Sequence, residues 1–192
     1  MPRHISLLFP GQGSQSIGML DDFDDSKINP IRKISNNLFD FDLVDVIKNG
    51  PDDLINRTSI TQPALLATSF LYFKKFLAFS QTLPNIFAGH SLGEYSALVA
   101  AESISMEDAM SIVHKRGLFM ESCPKGGMYA ILNFDLDSIN KICNKVSLEL
   151  NDVVSAANIN SENQVVIAGS LEAAKKVADD CKNAGAKSCI QL

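Results

Sequence analysis

The chain has 192 residues, of which 46% are hydrophobic, and this is enough to bury a core in one domain or two small ones. Its formal net charge is −5, and it has no dense stripe of lysine or arginine, which argues against a nucleic-acid partner. Its longest apolar stretches, such as 97–101, are far shorter than the ~20 residues that cross a bilayer, so we predict no membrane span. The N-terminus resembles no signal peptide, and we expect a cytoplasmic protein.

The four cysteines are scattered along the chain without a CxxC pair: Cys123, Cys143, Cys181 and Cys189. They predict neither a zinc site nor a disulfide framework, and we interpret them as buried free thiols. We expect no metal and no cofactor.

Hydrophobic patterning predicts an α/β arrangement in the first two thirds of the chain. The strand nearest the N-terminus is followed by a loop at 10–15, whose glycines allow a tight turn. Pro63 is placed in the first turn of its helix, where its missing N–H costs little. The predicted elements are a strand at 5–9, an acidic loop at 21–25, helices at 28–46 and 63–79, a strand at 85–88, and helices at 92–102 and 105–121.

Residues 124–127, Pro-Lys-Gly-Gly, are the strongest boundary signal, and the order of elements changes beyond them. Strands are predicted at 128–132, 153–157, 165–168 and 186–192, with helices at 136–150 and 171–184. This βαββαβ order is typical of the ferredoxin-like motif. We therefore predict an α/β core over residues 1–125 and a ferredoxin-like small subdomain over residues 126–192.

One short motif, Gly89-His90-Ser91-Leu92-Gly93, fits the pattern G-x-S-x-G. It lies between a predicted strand and a predicted helix, which is the setting of a nucleophile elbow. We predict that the two glycines approach each other too closely for side chains, and that Ser91 is an exposed catalytic nucleophile. His90 should point away from Ser91 and only support the turn. The alternative is an ordinary turn in which the serine caps the helix.

An oxyanion hole can form beside this turn. Helix N-termini offer unpaired N–H groups to a developing negative oxygen, and the Leu92 N–H is the nearest candidate. We expect a second donor in the Gln12 backbone N–H, next to Gly11, because loops that follow parallel strands gather at one edge of a sheet.

The chain resembles the malonyl-CoA:acyl carrier protein transacylases of type II fatty-acid synthesis. Five blocks carry the resemblance in the family's order, namely FPGQGSQ at 9–15, TQPA at 61–64, GHSLGEYSA at 89–97, RG and FM within 116–120, and NQVVIAG at 163–169. Acyltransferase domains of polyketide synthases share much of this pattern, but no adjoining modules are present.

The resemblance implies a hydrolase-like α/β core with a parallel sheet and a ferredoxin-like small subdomain. It implies transfer of a malonyl group from a coenzyme A thioester to the phosphopantetheine thiol of acyl carrier protein, through a malonyl-serine intermediate at Ser91. It also implies that Gln12 and Leu92 form the oxyanion hole, and that Arg116 binds the free malonyl carboxylate.

Helical spacing gives an independent prediction for Arg116. At 100° per residue it lies on one stripe with Ala109, Val113 and Met120, whereas His114 lies on the far side. An inward guanidinium needs a partner, and a substrate carboxylate suits its forked geometry. An internal salt bridge to Glu94, or a side chain that reaches solvent along its stem, remains open.

The resemblance also implies a catalytic histidine after the small subdomain, and the sequence stops at Leu192 without one. Ser91 needs a base, and none of His4, His90 and His114 is well placed for that role. We therefore expect a truncated chain with an incomplete core sheet, an unpaired sheet edge and exposed apolar surface. Alone it should be inactive or impaired, because removal of the histidine base from a serine protease slows its reaction about a millionfold.

Two other functions fit the sequence. A serine hydrolase or thioesterase shares the G-x-S-x-G turn, and a non-catalytic fragment that binds acyl-CoA or a partner chain needs no base.

Overall fold

The chain is seen here as a computed structural model that describes residues 4–80 and 82–192. Residues 1–3, which enter the expectation about the N-terminus, lie outside the described residues. The chain forms two compact units, one ending at Ser122 and one spanning Cys123–Leu192. The boundary predicted between residues 125 and 126 lies just inside the second unit, which begins at Cys123.

The first unit combines a small parallel sheet with helices. Its two strands pair in parallel, with Ser6 opposite Ile86 and Phe9 opposite Gly89, and four helices lie between them in sequence. The elements are β1 Ser6–Phe9, α1 Asp25–Leu38, α2 Leu43–Asn49, α3 Asp52–Ile55, α4 Thr58–Phe79, β2 Ile86–Gly89, α5 Gly93–Ala100 and α6 Met106–Ser122.

The β1–β2 sheet is open. Among the residues that the structure describes, no third strand pairs with either edge. Phe9 packs with Phe73 on one face of the sheet, whereas on the other face Leu8 is 79% exposed and Ile86 is 55% exposed. The expected unpaired edge and exposed apolar surface are both present.

Helix α4 is the centre of the helical core. From Ser59 to Thr68 each of its residues is buried, so this part of the helix is enclosed on all sides. Helices α1, α2 and α6 pack around it. Within residues 4–80 and 82–192, no helix combines the length and the apolar character needed to span a bilayer.

Two predicted helix boundaries are wrong. The helix predicted over 28–46 is two helices, because Phe39 adopts an extended conformation and Asp42 caps α2 by accepting the Asp45 N–H. Helix α4 begins at Thr58, five residues before Pro63. Its early start depends on a residue distant in sequence, because the Glu121 carboxylate accepts the Ser59 N–H at 2.7 Å.

The second unit is an antiparallel four-stranded sheet with two helices. The predicted order βαββαβ is the observed one, and the strands are arranged in the sheet as β4-β5-β3-β6. Its core includes Ile131, Ile139 and Ile167, which are fully buried. The elements are β3 Gly126–Leu132, α7 Leu136–Leu150, β4 Val154–Ser161, β5 Gln164–Ser170, α8 Leu171–Asn183 and β6 Ser188–Gln191.

The interpretation of the cysteines as buried thiols is wrong for Cys123, which is exposed at the start of the second unit. It is confirmed for Cys143 and Cys181, and Cys189 is half-buried. Burial raises the pKa of Cys143 to about 11 and that of Cys181 to about 12. Both thiols are therefore neutral near pH 8 in the folded chain.

These differences predict selective thiol chemistry. At pH 8 the folded chain should react rapidly with Ellman's reagent at Cys123, whereas Cys143 and Cys181 should react only after unfolding in urea. Mass spectrometry of trapped adducts identifies the sites. Cys123→Ser should remove the rapid reaction, and rapid labelling of Cys181 in the folded chain would contradict the buried packing.

Candidate active site

Ser91 lies on a tight turn between β2 and α5. The His90 carbonyl accepts the Gly93 N–H at 2.9 Å, and this bond closes the turn around Ser91 and Leu92. Ser91 has φ 53°, a left-handed conformation that costs a non-glycine residue about 1–2 kcal/mol. Its backbone is held there by the surrounding packing, and its side chain is half-buried at the start of α5.

The glycines on either side of Ser91 are required by the packing. A Cβ on Gly89 would lie 1.9 Å from the Gly93 carbonyl carbon, so these two residues touch across the turn. A Cβ on Gly93 would lie 2.2 Å from the Phe9 carbonyl oxygen at the end of β1. Both contacts are with backbone atoms, which cannot rotate away as a side chain does.

The loop after β1 packs against the same turn. A Cβ on Gly11 would lie 2.8 Å from the His90 carbonyl oxygen and 2.9 Å from His90 Nδ1. The Gln12 side chain donates to Thr58 Oγ1 at 3.2 Å, which ties this loop to the start of α4. The structure therefore brings Gly11, and Gln12 beside it, to the Ser91 turn from a distant part of the sequence.

Arg116 of α6 joins α4 to the Ser91 turn. Its guanidinium is half-buried and donates to Gln62 Oε1 at 2.8 Å and to Ser91 Oγ at 3.0 Å. It also lies 5.9 Å from the centre of the Tyr95 ring, within the range of a cation–π contact.

Arg116 makes no ion pair with a carboxylate among the described residues. The salt bridge to Glu94 that the sequence left open is therefore not formed within that part of the chain. A guanidinium donates from five N–H groups in a fixed fork, and only two of its nitrogens are bound here, both to neutral oxygens. Within the described residues, no carboxylate pairs with this positive charge, which lies beside the Ser91 hydroxyl.

Gln62 is the site residue that the sequence analysis did not identify as functional. It is fully buried on α4, where its Oε1 accepts from Arg116 and its Nε2 lies 3.2 Å from Met120 Sδ. The available signal was a glutamine, the residue with the largest polar side chain in the first half of this helix, within the TQPA block. A buried amide without a local partner indicates a hydrogen bond to a distant residue.

The start of α4 is held by charged groups. Burial acts to raise the pKa of Glu121, but hydrogen bonding from Ser59 and the nearby charge of Arg57 outweigh it, so this pKa is lowered. Glu121 therefore remains ionised in mildly acidic solution and supplies a negative charge at the positive end of α4.

The three histidines occupy different surroundings. The His114 ring packs 4.6 Å from the Phe39 ring, and its Nδ1 lies 2.9 Å from the Ser59 carbonyl oxygen. His90 contacts Gly11, and His4 is exposed. The Nδ1 atom of His114 therefore contacts the Ser59 carbonyl oxygen and not Ser91.

Comparison with known proteins shows what this fold and site resemble. The profile of the acyl transferase domain matches residues 7–191. The chain is 41% identical over 196 residues to the malonyl CoA-acyl carrier protein transacylase of Haemophilus influenzae, covering 99% of this chain and 62% of that protein.

Solved structures agree with this assignment. The malonyl CoA-acyl carrier protein transacylase of Coxiella burnetii matches with a TM-score of 0.88 at 35% identity, covering all of this chain and 62% of that one. A malonyl-transacylase in complex with its type II PKS acyl-carrier protein matches with a TM-score of 0.86 at 39% identity, covering 99% of this chain and 62% of that one.

The chain has an α/β fold and belongs to the acyl transferase domain family, whose profile matches almost its whole length. Within that family it is similar to malonyl CoA-acyl carrier protein transacylases along nearly its whole sequence. The chain spans about 62% of the length of these relatives.

The contacts of Gly93 predict a large effect of one methyl group. Gly93→Ala should destabilise the first unit by about 3 kcal/mol or more, because the added carbon overlaps the Phe9 carbonyl. Gly13→Ala is the control, since nothing lies within 4 Å of a Cβ added at Gly13 and only its positive φ opposes the substitution. It should cost about 1–2 kcal/mol. Urea unfolding monitored by circular dichroism measures both, and equal losses would contradict the tight turn.

Proposed function

We propose that the chain carries the acyl-binding half of an enzyme that transfers malonyl groups from coenzyme A to the phosphopantetheine thiol of acyl carrier protein. The observation that carries this proposal is the Arg116 guanidinium, which lies 3.0 Å from Ser91 Oγ and has no carboxylate partner among the described residues. A malonyl group has a free carboxylate a few bonds from its reactive carbonyl. Arg116 can bind that carboxylate while the carbonyl lies against Ser91.

We propose that the Ser91 turn is a nucleophile elbow. Ser91 Oγ attacks the thioester carbonyl, its proton passes to a base, and the carbon–sulfur bond breaks to release coenzyme A. The carrier-protein thiol then attacks the malonyl-serine ester and regenerates the hydroxyl. The Leu92 and Gln12 N–H groups would stabilise the oxyanion in both steps, which the packing of Gly11 against His90 supports.

We also propose a structural assignment for the two parts of the chain. Residues 1–125 would be the N-terminal part of a hydrolase-like core, and residues 126–192 a ferredoxin-like subdomain. The sheet order β4-β5-β3-β6 supports the second assignment, because the first and third strands of the βαββαβ unit are then central and neighbouring.

Acyl carrier protein and a coenzyme A thioester are the proposed partners. The similarity to a malonyl-transacylase that was solved with its type II PKS acyl-carrier protein supports the first. The cytoplasmic location remains a prediction from the sequence.

We also propose that residues 1–192 alone turn over poorly. The contact of His114 Nδ1 with the Ser59 carbonyl oxygen supports this, because it leaves that ring engaged away from Ser91.

The carboxylate role of Arg116 predicts a specific loss of binding. The chain should bind malonyl-CoA more tightly than acetyl-CoA, and Arg116→Ala should reduce that preference by about 10- to 100-fold, which is the value of a charge-assisted hydrogen bond of about 1.5–3 kcal/mol. Isothermal titration calorimetry with both thioesters measures the ratio.

Arg32→Ala is the control for loss of a positive charge, because Arg32 lies on α1 with its Nε 3.6 Å from Asp42 Oδ2. Its malonyl-to-acetyl ratio should equal that of the unmodified chain. Equal losses of malonyl-CoA and acetyl-CoA binding in Arg116→Ala would show that the arginine does not bind the malonyl carboxylate.

The proposed role of Ser91 predicts a covalent malonyl adduct, and this adduct distinguishes the alternative functions. After prolonged incubation with malonyl-CoA, intact-mass measurement should show addition of one malonyl group, and Ser91→Ala should show none. A serine hydrolase would instead turn over p-nitrophenyl acetate without a thiol acceptor. A purely binding fragment would give calorimetric binding with no covalent adduct at any time.

A further inference from the structure

Pro63 creates a gap in the hydrogen bonding of α4. It is the sixth residue of this helix and has no backbone N–H, so it cannot donate to the carbonyl four residues earlier. That carbonyl belongs to Ser59, which is 2% exposed. A buried carbonyl without a donor is costly, so another group must satisfy it.

His114 supplies the missing donor. Its Nδ1 lies 2.9 Å from the Ser59 carbonyl oxygen, and because a carbonyl only accepts, Nδ1 carries the hydrogen. The ring is held in this orientation by Phe39 and Phe41, whose ring centres lie 4.6 Å and 6.0 Å from it. The Pro63 gap is thus closed by a side chain from α6.

Helix α6 holds Ser59 at three points. His114, Gly117 and Glu121 lie at positions i, i+3 and i+7, on one stripe of the helix. Glu121 accepts the Ser59 N–H at 2.7 Å, and a Cβ on Gly117 would lie 2.5 Å from the Ser59 Cα. The N–H, Cα and carbonyl of one residue are therefore all in contact with this stripe.

This contact fixes the distance between Gln62 and Arg116. Gln62 is three residues after Ser59 on α4, and Arg116 lies on α6 between the residues that hold Ser59. A shift of one helix along the other would break the 2.8 Å hydrogen bond from Arg116 to Gln62 and move the guanidinium from Ser91.

We infer that His114 is a positioning residue for Arg116, acting through the Ser59 carbonyl that Pro63 leaves without a helical donor. The functional consequence rests on the proposed binding of the malonyl carboxylate by Arg116. His114 itself does not touch Ser91 in this arrangement and takes no part in proton transfer.

The test compares two substitutions at one position. His114→Phe keeps an aromatic ring beside Phe39 and removes the donor, whereas His114→Asn loses the ring but carries an amide nitrogen at the position of Nδ1. Calorimetry on the 192-residue chain should show that His114→Phe lowers the malonyl-CoA to acetyl-CoA affinity ratio about fivefold, the factor expected for one hydrogen bond of about 1 kcal/mol. His114→Asn should restore most of the ratio.

Val113→Ala is the matched control for lost stability. Val113 is fully buried on α6 and belongs to the helical core, so its truncation should lower the urea midpoint while leaving the ratio unchanged. An unchanged ratio in His114→Phe, or an equal drop in Val113→Ala, would overturn the positioning role.

Nuclear magnetic resonance distinguishes a failure of the His114 positioning role from a failure of the proposed function. If the unmodified chain shows no preference for malonyl-CoA, the carboxylate proposal fails, and the guanidinium N–H signals of Arg116 then decide the positioning role. Those signals, assigned by their loss in Arg116→Lys, should shift and exchange faster with solvent in His114→Phe but not in Val113→Ala. Unchanged signals in His114→Phe would refute it.

Discussion

The site depends on one positive charge held beside one hydroxyl. Arg116 lies within hydrogen-bond distance of Ser91 Oγ, yet both of its hydrogen-bond acceptors in the described structure are neutral oxygens, those of Ser91 and Gln62. A carboxylate at either position would form an internal ion pair and cancel the charge. Neutral acceptors orient the guanidinium without pairing its charge, and the proposed binding of a substrate carboxylate rests on this feature.

Two rigid contacts maintain that arrangement. At the Ser91 turn, Gly93 touches the backbone of β1, which sets the hydroxyl relative to the sheet. At the α4–α6 contact, Glu121 and His114 of α6 bind the backbone of Ser59. These bonds fix the position of Gln62 relative to Arg116. In both places a glycine, Gly93 or Gly117, approaches backbone atoms of another element too closely for a side chain, so small shifts are strongly opposed. The guanidinium and the Ser91 hydroxyl are thereby positioned by packing, without an ion pair between them.

Much of this protein was determined locally and could be predicted from its sequence. The alternation of strands and helices, the βαββαβ order of the second unit and the turn at Ser91 follow from short-range periodicity and from glycine spacing. Helical phase placed Arg116 on a stripe with Ala109 and Val113, which are buried, although Met120 on that stripe is 48% exposed and Arg116 itself is half-buried. These features could be predicted because each depends on residues close together in the chain, where backbone geometry restricts the choices.

The remaining features were decided by tertiary structure. The break between α1 and α2 was not visible in the apolar pattern, and the early start of α4 depends on Glu121, which is 62 residues from Ser59. The role of Gln62 could not be predicted either, because its partner Arg116 is 54 residues away. Sequence alone thus specified which residues have the required chemistry. Only the fold determined which of them meet, since a side chain's hydrogen-bond partner depends on distances that local periodicity does not contain.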